Sequence, residues 1–135
     1  MKITKEASDA IIAHAREALP VECCGLLIGS PSLIERAHRA RNLDASPTRF
    51  LIDPRDHFAA IHAARAIGLD VVGVYHSHPA TSATPSPADL AEASYPEYIY
   101  VIVSPQLEPI DVRSFRLRDG GLVEERLDVS GQEVP

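Results

Sequence analysis

The chain has 135 residues, of which 45% are hydrophobic and 24% are charged, and its formal net charge is −6. This length and composition predict a single globular domain over residues 1–135 with one hydrophobic core. The acidic balance argues against a nucleic-acid-binding protein, which needs a basic face.

The N-terminus and the cysteines indicate a cytoplasmic protein. The first residues, Met1 to Glu6, lack the apolar core of a signal peptide, and no segment approaches the length of a membrane span. Cys23 and Cys24 are adjacent, and neighbours on a strand face opposite ways, so no disulfide between them is expected. We therefore expect a reduced, intracellular protein that does not bind a membrane.

Periodicity and turn residues predict helices interspersed with strands. Helical spacing of apolar residues defines the helices, and short apolar or β-branched runs bounded by Gly, Pro or Asp define the strands. Asp53 followed by Pro54 marks a helix start, because Asp caps a helix and Pro suits its first turn. In chain order we predict a helix at 5–19, strands at 22–29, 33–40 and 49–52, a helix at 54–67, a strand at 71–78, a helix at 87–93, and strands at 98–103, 110–117 and 122–127.

This order of elements predicts an α/β (α+β) fold. The strands are expected to form a mixed, mostly antiparallel sheet flanked by the helices. Asp119-Gly120-Gly121 is a turn signal that joins the last two strands as a hairpin. Residues from about 130 to 135 are expected to be a loose tail.

The end of the strand at 71–78 carries the residues with the clearest chemistry. Residues two apart on a strand share a face, so His76 and His78 should present two imidazoles side by side. Ser86, followed by a proline, predicts a helix start that places Asp89 on the first turn. Two His and one carboxylate, with a fourth position left for water, are the pattern of a catalytic zinc site. An ordinary capping box by Ser86 and Asp89 fits the same residues, so this structural interpretation stays open.

The sequence resembles the JAMM (MPN+) family of zinc metalloproteases, in particular its small prokaryotic members. The resemblance rests on H-S-H-P-x6-S-x2-D from His76 to Asp89, and on Glu22 within the upstream segment P-V-E-C-C-G-L-L-I-G. It covers nearly the whole chain and implies one JAMM/MPN domain with a cytidine-deaminase-like core.

The resemblance also implies a role for each polar residue of the motif. His76, His78 and Asp89 would bind one Zn²⁺ per chain, with water as the fourth ligand. Glu22 would be the general base that takes a proton from this water. Ser86 would hold the water or stabilise the tetrahedral oxyanion. The chemistry is reasonable, because zinc lowers the pKa of bound water to about 7.

The implied function is hydrolysis of a peptide or isopeptide bond at the C-terminus of a ubiquitin-like or sulfur-carrier protein that ends in diglycine. The protein would act as a monomer or a homodimer. Two alternatives use the same fold: a RadC-like protein, and a metal-free MPN scaffold that binds partners. A third alternative makes Cys23 or Cys24 a nucleophile with His76 as base, although small apolar neighbours favour buried packing for both thiols.

Overall fold

Eight strands and three helices form the part of the chain that the structure, a computed structural model, describes, residues 1–130. None of these helices is long and apolar enough to cross a membrane. In chain order the elements are β1 (Lys2–Thr4), α1 (Lys5–Ala18), β2 (Cys24–Ser30), β3 (Leu33–Ala40), α2 (Pro54–Ala66), β4 (Asp70–Ser77), α3 (Pro87–Glu92), β5 (Ile99–Ser104), β6 (Asp111–Arg118), β7 (Gly121–Glu125) and β8 (Asp128–Ser130).

The strands form one sheet in the order β7-β6-β5-β4-β2-β3-β1-β8. β4 lies inside the sheet, antiparallel to β2 and parallel to β5. β1 is parallel to both β3 and β8, and the remaining neighbours are antiparallel. The mixed, mostly antiparallel sheet that the sequence predicts is therefore confirmed.

The two long helices cover opposite faces of the sheet. Alternate residues of β5 show this, because Val101 packs in the cluster that contains α1, whereas Ile102 packs in the cluster that contains α2. Successive side chains on a strand point to opposite faces. On β4, Tyr75 therefore packs towards α1, whereas Val74 and His76 lie on the α2 face.

Three of the predicted features need correction. Residues 49–52 form no strand but only a single bridge between Ile52 and Asn42, because hydrogen bonds to the Asn42 side chain hold them in a loop. β1 and β8 were not predicted, since each has only three residues and shows no periodicity. Residue 130, predicted to begin a loose tail, lies in β8 opposite Thr4. The rest of that predicted tail, 131–135, lies outside the described residues.

Gly25 is required by the packing of the α1 face. It is the cross-strand partner of Tyr75, and a Cβ at this position would collide with the tyrosine ring. The ring cannot move away, because it is fully buried and its hydroxyl lies 2.7 Å from Nδ1 of His14. We expect Gly25→Ala to lower the free energy of unfolding by about 1–3 kcal/mol, measured by urea denaturation.

Gly121→Ala is the matched control, because the nearest atom to its added Cβ would be 3.9 Å away. A Gly25→Ala protein as stable as wild type would show that the sheet relaxes around the extra methyl group.

Candidate metal centre

Two imidazoles and one carboxylate converge at the end of β4. Nε2 of His76 lies 3.0 Å from Oδ1 of Asp89, and Nε2 of His78 lies 3.0 Å from Oδ2. The two Nε2 atoms are 3.3 Å apart. All three side chains are buried, and one ligand atom from each lies within 4.8 Å of the others. A single cation could therefore contact all three residues.

The backbone on either side of β4 positions the two histidines. His76 is paired with Cys24 of β2 and Ile102 of β5. His78 follows the last residue of β4, and its N–H donates to the carbonyl oxygen of Val103 at 2.9 Å. The strand thus places both imidazoles on one side, as the sequence predicts, although His78 itself lies just beyond the strand.

Contacts outside the group of three residues fix the proton position in His78 and the ring orientation of His76. Nδ1 of His78 lies 2.7 Å from the carbonyl oxygen of Ser82. A carbonyl oxygen only accepts, so this contact places a proton on Nδ1, and in the neutral imidazole the lone pair is then on Nε2. That tautomer is the one that binds a metal through Nε2. The ring of His76 is stacked on Phe50, with centroids 4.3 Å apart and planes 19° apart.

The start of α3 positions the carboxylate. Oγ of Ser86 accepts a hydrogen bond from the N–H of Asp89 at 3.2 Å, and the N–H of Ser86 donates to Oδ2 of Asp89 at 2.8 Å. This is a complete capping box. The capping interpretation and the metal-site interpretation are therefore compatible, because the cap turns the carboxylate towards the histidines. The hydroxyl proton of Ser86 remains available to donate.

Burial and mutual hydrogen bonding shift the pKa values of all three side chains. Burial lowers the pKa of His76 despite its hydrogen bond to Asp89, so the imidazole is neutral. Burial alone would raise the pKa of Asp89, but the hydrogen bonds with His76 and His78 hold it well below its ordinary value. Burial alone would lower the pKa of His78, but its hydrogen bonds with Asp89 and with the carbonyl oxygen of Ser82 raise it above its ordinary value. A divalent cation is coordinated by neutral imidazoles and an ionised carboxylate, so its binding would displace the proton that His78 shares with Asp89.

Glu22 lies immediately before β2, next to the end of β4. Its side chain is buried, with the residue only 3% exposed. Within residues 1–130, Oε1 of Glu22 has no hydrogen-bond partner. A buried polar atom without a partner is costly, so this oxygen points to a missing polar group at the site. The unpaired oxygen and the His-His-Asp donor set together fit a divalent metal ion with an open coordination position.

The pKa of Glu22 is raised to about 7, first by burial and then by the nearby Asp89, with His78 acting in the opposite direction. An acid whose pKa is higher in the folded than in the unfolded state destabilises the fold once it ionises. Its contribution is favourable below the ordinary pKa of 4.5 and is lost as the pH rises through about 7.

For the metal-free protein, we therefore expect Glu22→Gln to increase the free energy of unfolding by about 3 kcal/mol at pH 8 and by much less at pH 5. Urea denaturation in the presence of a chelator at both pH values measures this difference. Glu124→Gln, at an exposed position of β7, is the control. A gain from Glu22→Gln that is the same at both pH values would contradict the raised pKa.

The cysteine alternative is not supported. Cys23 and Cys24 are buried free thiols. Burial is the main cause that raises the pKa of Cys23 to about 11 and that of Cys24 to about 12. A cysteine nucleophile needs a lowered pKa and access to the substrate. Both thiols are therefore packing residues.

Other features of the site did not emerge from the sequence. A cavity of about 260 Å³ with a mainly apolar wall opens beside His76 and Asp89, and Phe50 and Tyr95 contribute to this wall. Phe50 was assigned to a strand and not to the site. The apolar run from Phe50 to Ile52, directly before the helix start at Asp53, was the available signal, because apolar side chains are favoured where they can pack against other groups.

Comparison with known proteins agrees with this geometry. The profile of the family described as prokaryotic homologues of the JAB domain matches residues 4–118. The chain belongs to this family.

This prokaryotic JAB protein is similar to proteins named desampylase and CysO-cysteine peptidase. A desampylase from Haloferax volcanii is 37% identical over 112 residues, which cover 78% of this chain and 81% of the relative. A CysO-cysteine peptidase from Mycobacterium tuberculosis is 36% identical over 135 residues, which cover 96% and 91%. A JAB1/MPN domain protein from Archaeoglobus fulgidus has a similar structure, with a TM-score of 0.63 at 26% identity over 95% of this chain and 99% of that one. The predicted JAMM/MPN fold and the assignment to a hydrolase family are confirmed.

Proposed function

We propose that this protein is a zinc-dependent peptidase or isopeptidase that cleaves bonds at the C-terminus of ubiquitin-like or sulfur-carrier proteins. One observation carries the proposal: a buried His-His-Asp group lies beside a buried glutamate whose Oε1 has no partner among the described residues. The names of the relatives, desampylase and CysO-cysteine peptidase, support this substrate class.

The donor set supports zinc as the metal. Nε2 of His76, Nε2 of His78 and one oxygen of Asp89 would be the three protein ligands, which is the number that catalytic zinc sites use. When bound, zinc would supply Lewis-acid activation of a water molecule and of the substrate carbonyl. Ser86 would hold Asp89 through the capping box, and its hydroxyl could donate to an oxygen of the substrate.

Glu22 is suited to move the proton in this reaction. Its carboxyl group has a pKa raised to about 7, and a general base is most effective when its pKa lies near the working pH. Because Oε1 has no partner among residues 1–130, it is available to take a proton from the attacking water. The same group would return that proton to the leaving amine.

The burial of the site favours a slender substrate segment. His76, His78 and Asp89 are all buried, so a segment without bulky side chains next to the scissile bond would reach them with the least hindrance. A diglycine C-terminus has no side chains and would reach the carboxylates and imidazoles in an extended form. All of these residues come from one chain, so a monomer would carry a complete site.

Intact-mass spectrometry tests the proposal directly. We expect the zinc-loaded protein to remove a C-terminal extension from a sulfur-carrier protein and to stop after the Gly-Gly pair. The same carrier with Ala-Ala at that position is the control substrate and should be cleaved far more slowly, because two added methyl groups would have to approach the buried residues of the site.

Two inhibitors separate this mechanism from a cysteine mechanism. A chelator should stop cleavage, whereas iodoacetamide should not, because both thiols are buried and have raised pKa values. Absence of cleavage by zinc-loaded protein, or inactivation by iodoacetamide with zinc retained, would contradict the proposal.

A further inference from the structure

The backbone of Glu22 is not held by the sheet. β2 begins only at Cys24. The N–H of Glu22 donates instead to the carbonyl oxygen of Ser46 at 2.8 Å, and its carbonyl oxygen accepts from Nδ2 of Asn42 at 3.1 Å. Both backbone polar groups of the proposed general base are thus bound by one loop, residues 42–52, which we call the clamp loop.

The side chain of Asn42 organises the clamp loop. Besides Glu22, Nδ2 donates to the carbonyl oxygen of Arg49 at 3.0 Å. Oδ1 accepts from the N–H groups of Asp44 and Leu51, each at 3.0 Å. An amide side chain has two donor hydrogens and two acceptor lone pairs, so Asn42 uses its whole hydrogen-bonding capacity here. Aspartate would lose both donors, and alanine would lose all four bonds.

The same side chain also fixes the contact to a proposed metal ligand. Arg49 and Leu51, whose backbone groups bond to Asn42, flank Phe50. Phe50 is the residue stacked on the ring of His76, with centroids 4.3 Å apart. One half-buried amide therefore connects the backbone of Glu22 to the aromatic ring that packs against His76.

We propose that Asn42 is a positioning residue that holds Glu22 and, through Phe50, His76 in their working geometry. This inference rests on the proposed function of Glu22 as the general base. Misplacing a reacting group by about 1 Å can reduce the rate by a factor of roughly 100. Loss of the Asn42 bonds would free the Glu22 backbone at the point where β2 no longer restrains it.

The test compares Asn42→Ala and Asn42→Asp with wild type. Asn42→Asp keeps the acceptor oxygen for Asp44 and Leu51 but removes the donor to Glu22, so it remains informative if the alanine variant folds poorly. Thr48→Ala is the matched control, because the exposed Thr48 side chain contacts Oγ of Ser46, at 3.4 Å, and not the Ser46 carbonyl oxygen that binds Glu22. We expect both Asn42 variants to lose kcat by roughly 10- to 100-fold, with KM close to wild type and one zinc retained.

A second readout does not depend on activity. Hydrogen exchange of the Glu22 amide, followed by NMR in the metal-free and zinc-loaded protein, should be at least about 10-fold faster in both Asn42 variants, because local opening exposes the bond to Ser46. The exchange rate of the Glu22 amide should be unchanged in Thr48→Ala.

The inference is overturned if Asn42→Ala keeps wild-type kcat, if its loss of kcat merely follows a loss of zinc or of folded protein, or if Thr48→Ala loses as much. If wild-type protein cleaves no carrier, the proposed function fails. In that event an unchanged Glu22 exchange rate in Asn42→Ala would still overturn the positioning role by itself.

Discussion

Replacing Glu22 with glutamine is expected to lower kcat by about 10²- to 10⁴-fold while one zinc ion per chain stays bound. Glutamine has nearly the same shape, but it cannot accept a proton from water at neutral pH. None of the three proposed ligands is changed, so the metal should be retained. Initial rates with an extended sulfur-carrier substrate, together with metal analysis of the same sample, measure both quantities.

Glu124→Gln provides the control for this prediction, because it removes a carboxylate from an exposed position of β7. Retention of wild-type kcat by Glu22→Gln would exclude Glu22 as the base. The hydrolase assignment would then need another proton acceptor near His76 and His78.

His78→Ala is expected to lose both the metal and the activity. The imidazole provides one of three converging ligand atoms, and its removal leaves too few to hold the ion. We expect zinc affinity to fall by more than the 10- to 100-fold that is typical of losing an outer-shell partner. Competition with a chromophoric chelator measures the affinity, and dialysed protein gives the stoichiometry.

Thermal unfolding gives an independent measurement of the same loss. Zinc that binds the folded state raises the Tm of the wild-type protein, and it should not do so for His78→Ala. His62→Ala is the control, because His62 is exposed on α2. An unaltered zinc stoichiometry in His78→Ala would contradict the ligand assignment.

Glu22→Gln is expected to raise the free energy of unfolding of the metal-free protein and to lower kcat, so stability and function make opposite demands on this residue. A carboxylate oxygen that is buried without a partner costs folding free energy, yet in the proposed mechanism that oxygen must stay free to accept a proton from water. We therefore expect the same substitution that lowers kcat to stabilise the metal-free protein at pH 8. Such a trade-off is common where a site needs a group in an unfavourable environment.

The proposed ligands could be predicted because they are close together in the chain. Strand alternation puts His76 and His78 on the same side, and the capping preference of Ser86 places Asp89 on the first turn of α3. These are local rules that hold in any fold. The hairpin turn at Asp119-Gly120 follows local rules as well, since both residues have positive φ there.

Glu22 could be assigned only through the family resemblance. Its place beside the histidines depends on the antiparallel pairing of Cys24 with His76, which joins segments far apart in sequence. Asn42 was not predicted at all, because an Asn in a polar loop has no periodicity and its partner at Glu22 is distant in the chain.

The sequence by itself determined which side chains could hold a metal and the order of the elements that carry them, because both follow from residue chemistry and from local backbone preferences. Only the tertiary structure decided that Glu22 is buried, that its Oε1 has no partner among residues 1–130, and that the clamp loop binds its backbone. Those properties arise from desolvation and hydrogen bonds between distant segments, and no local pattern of residues encodes them.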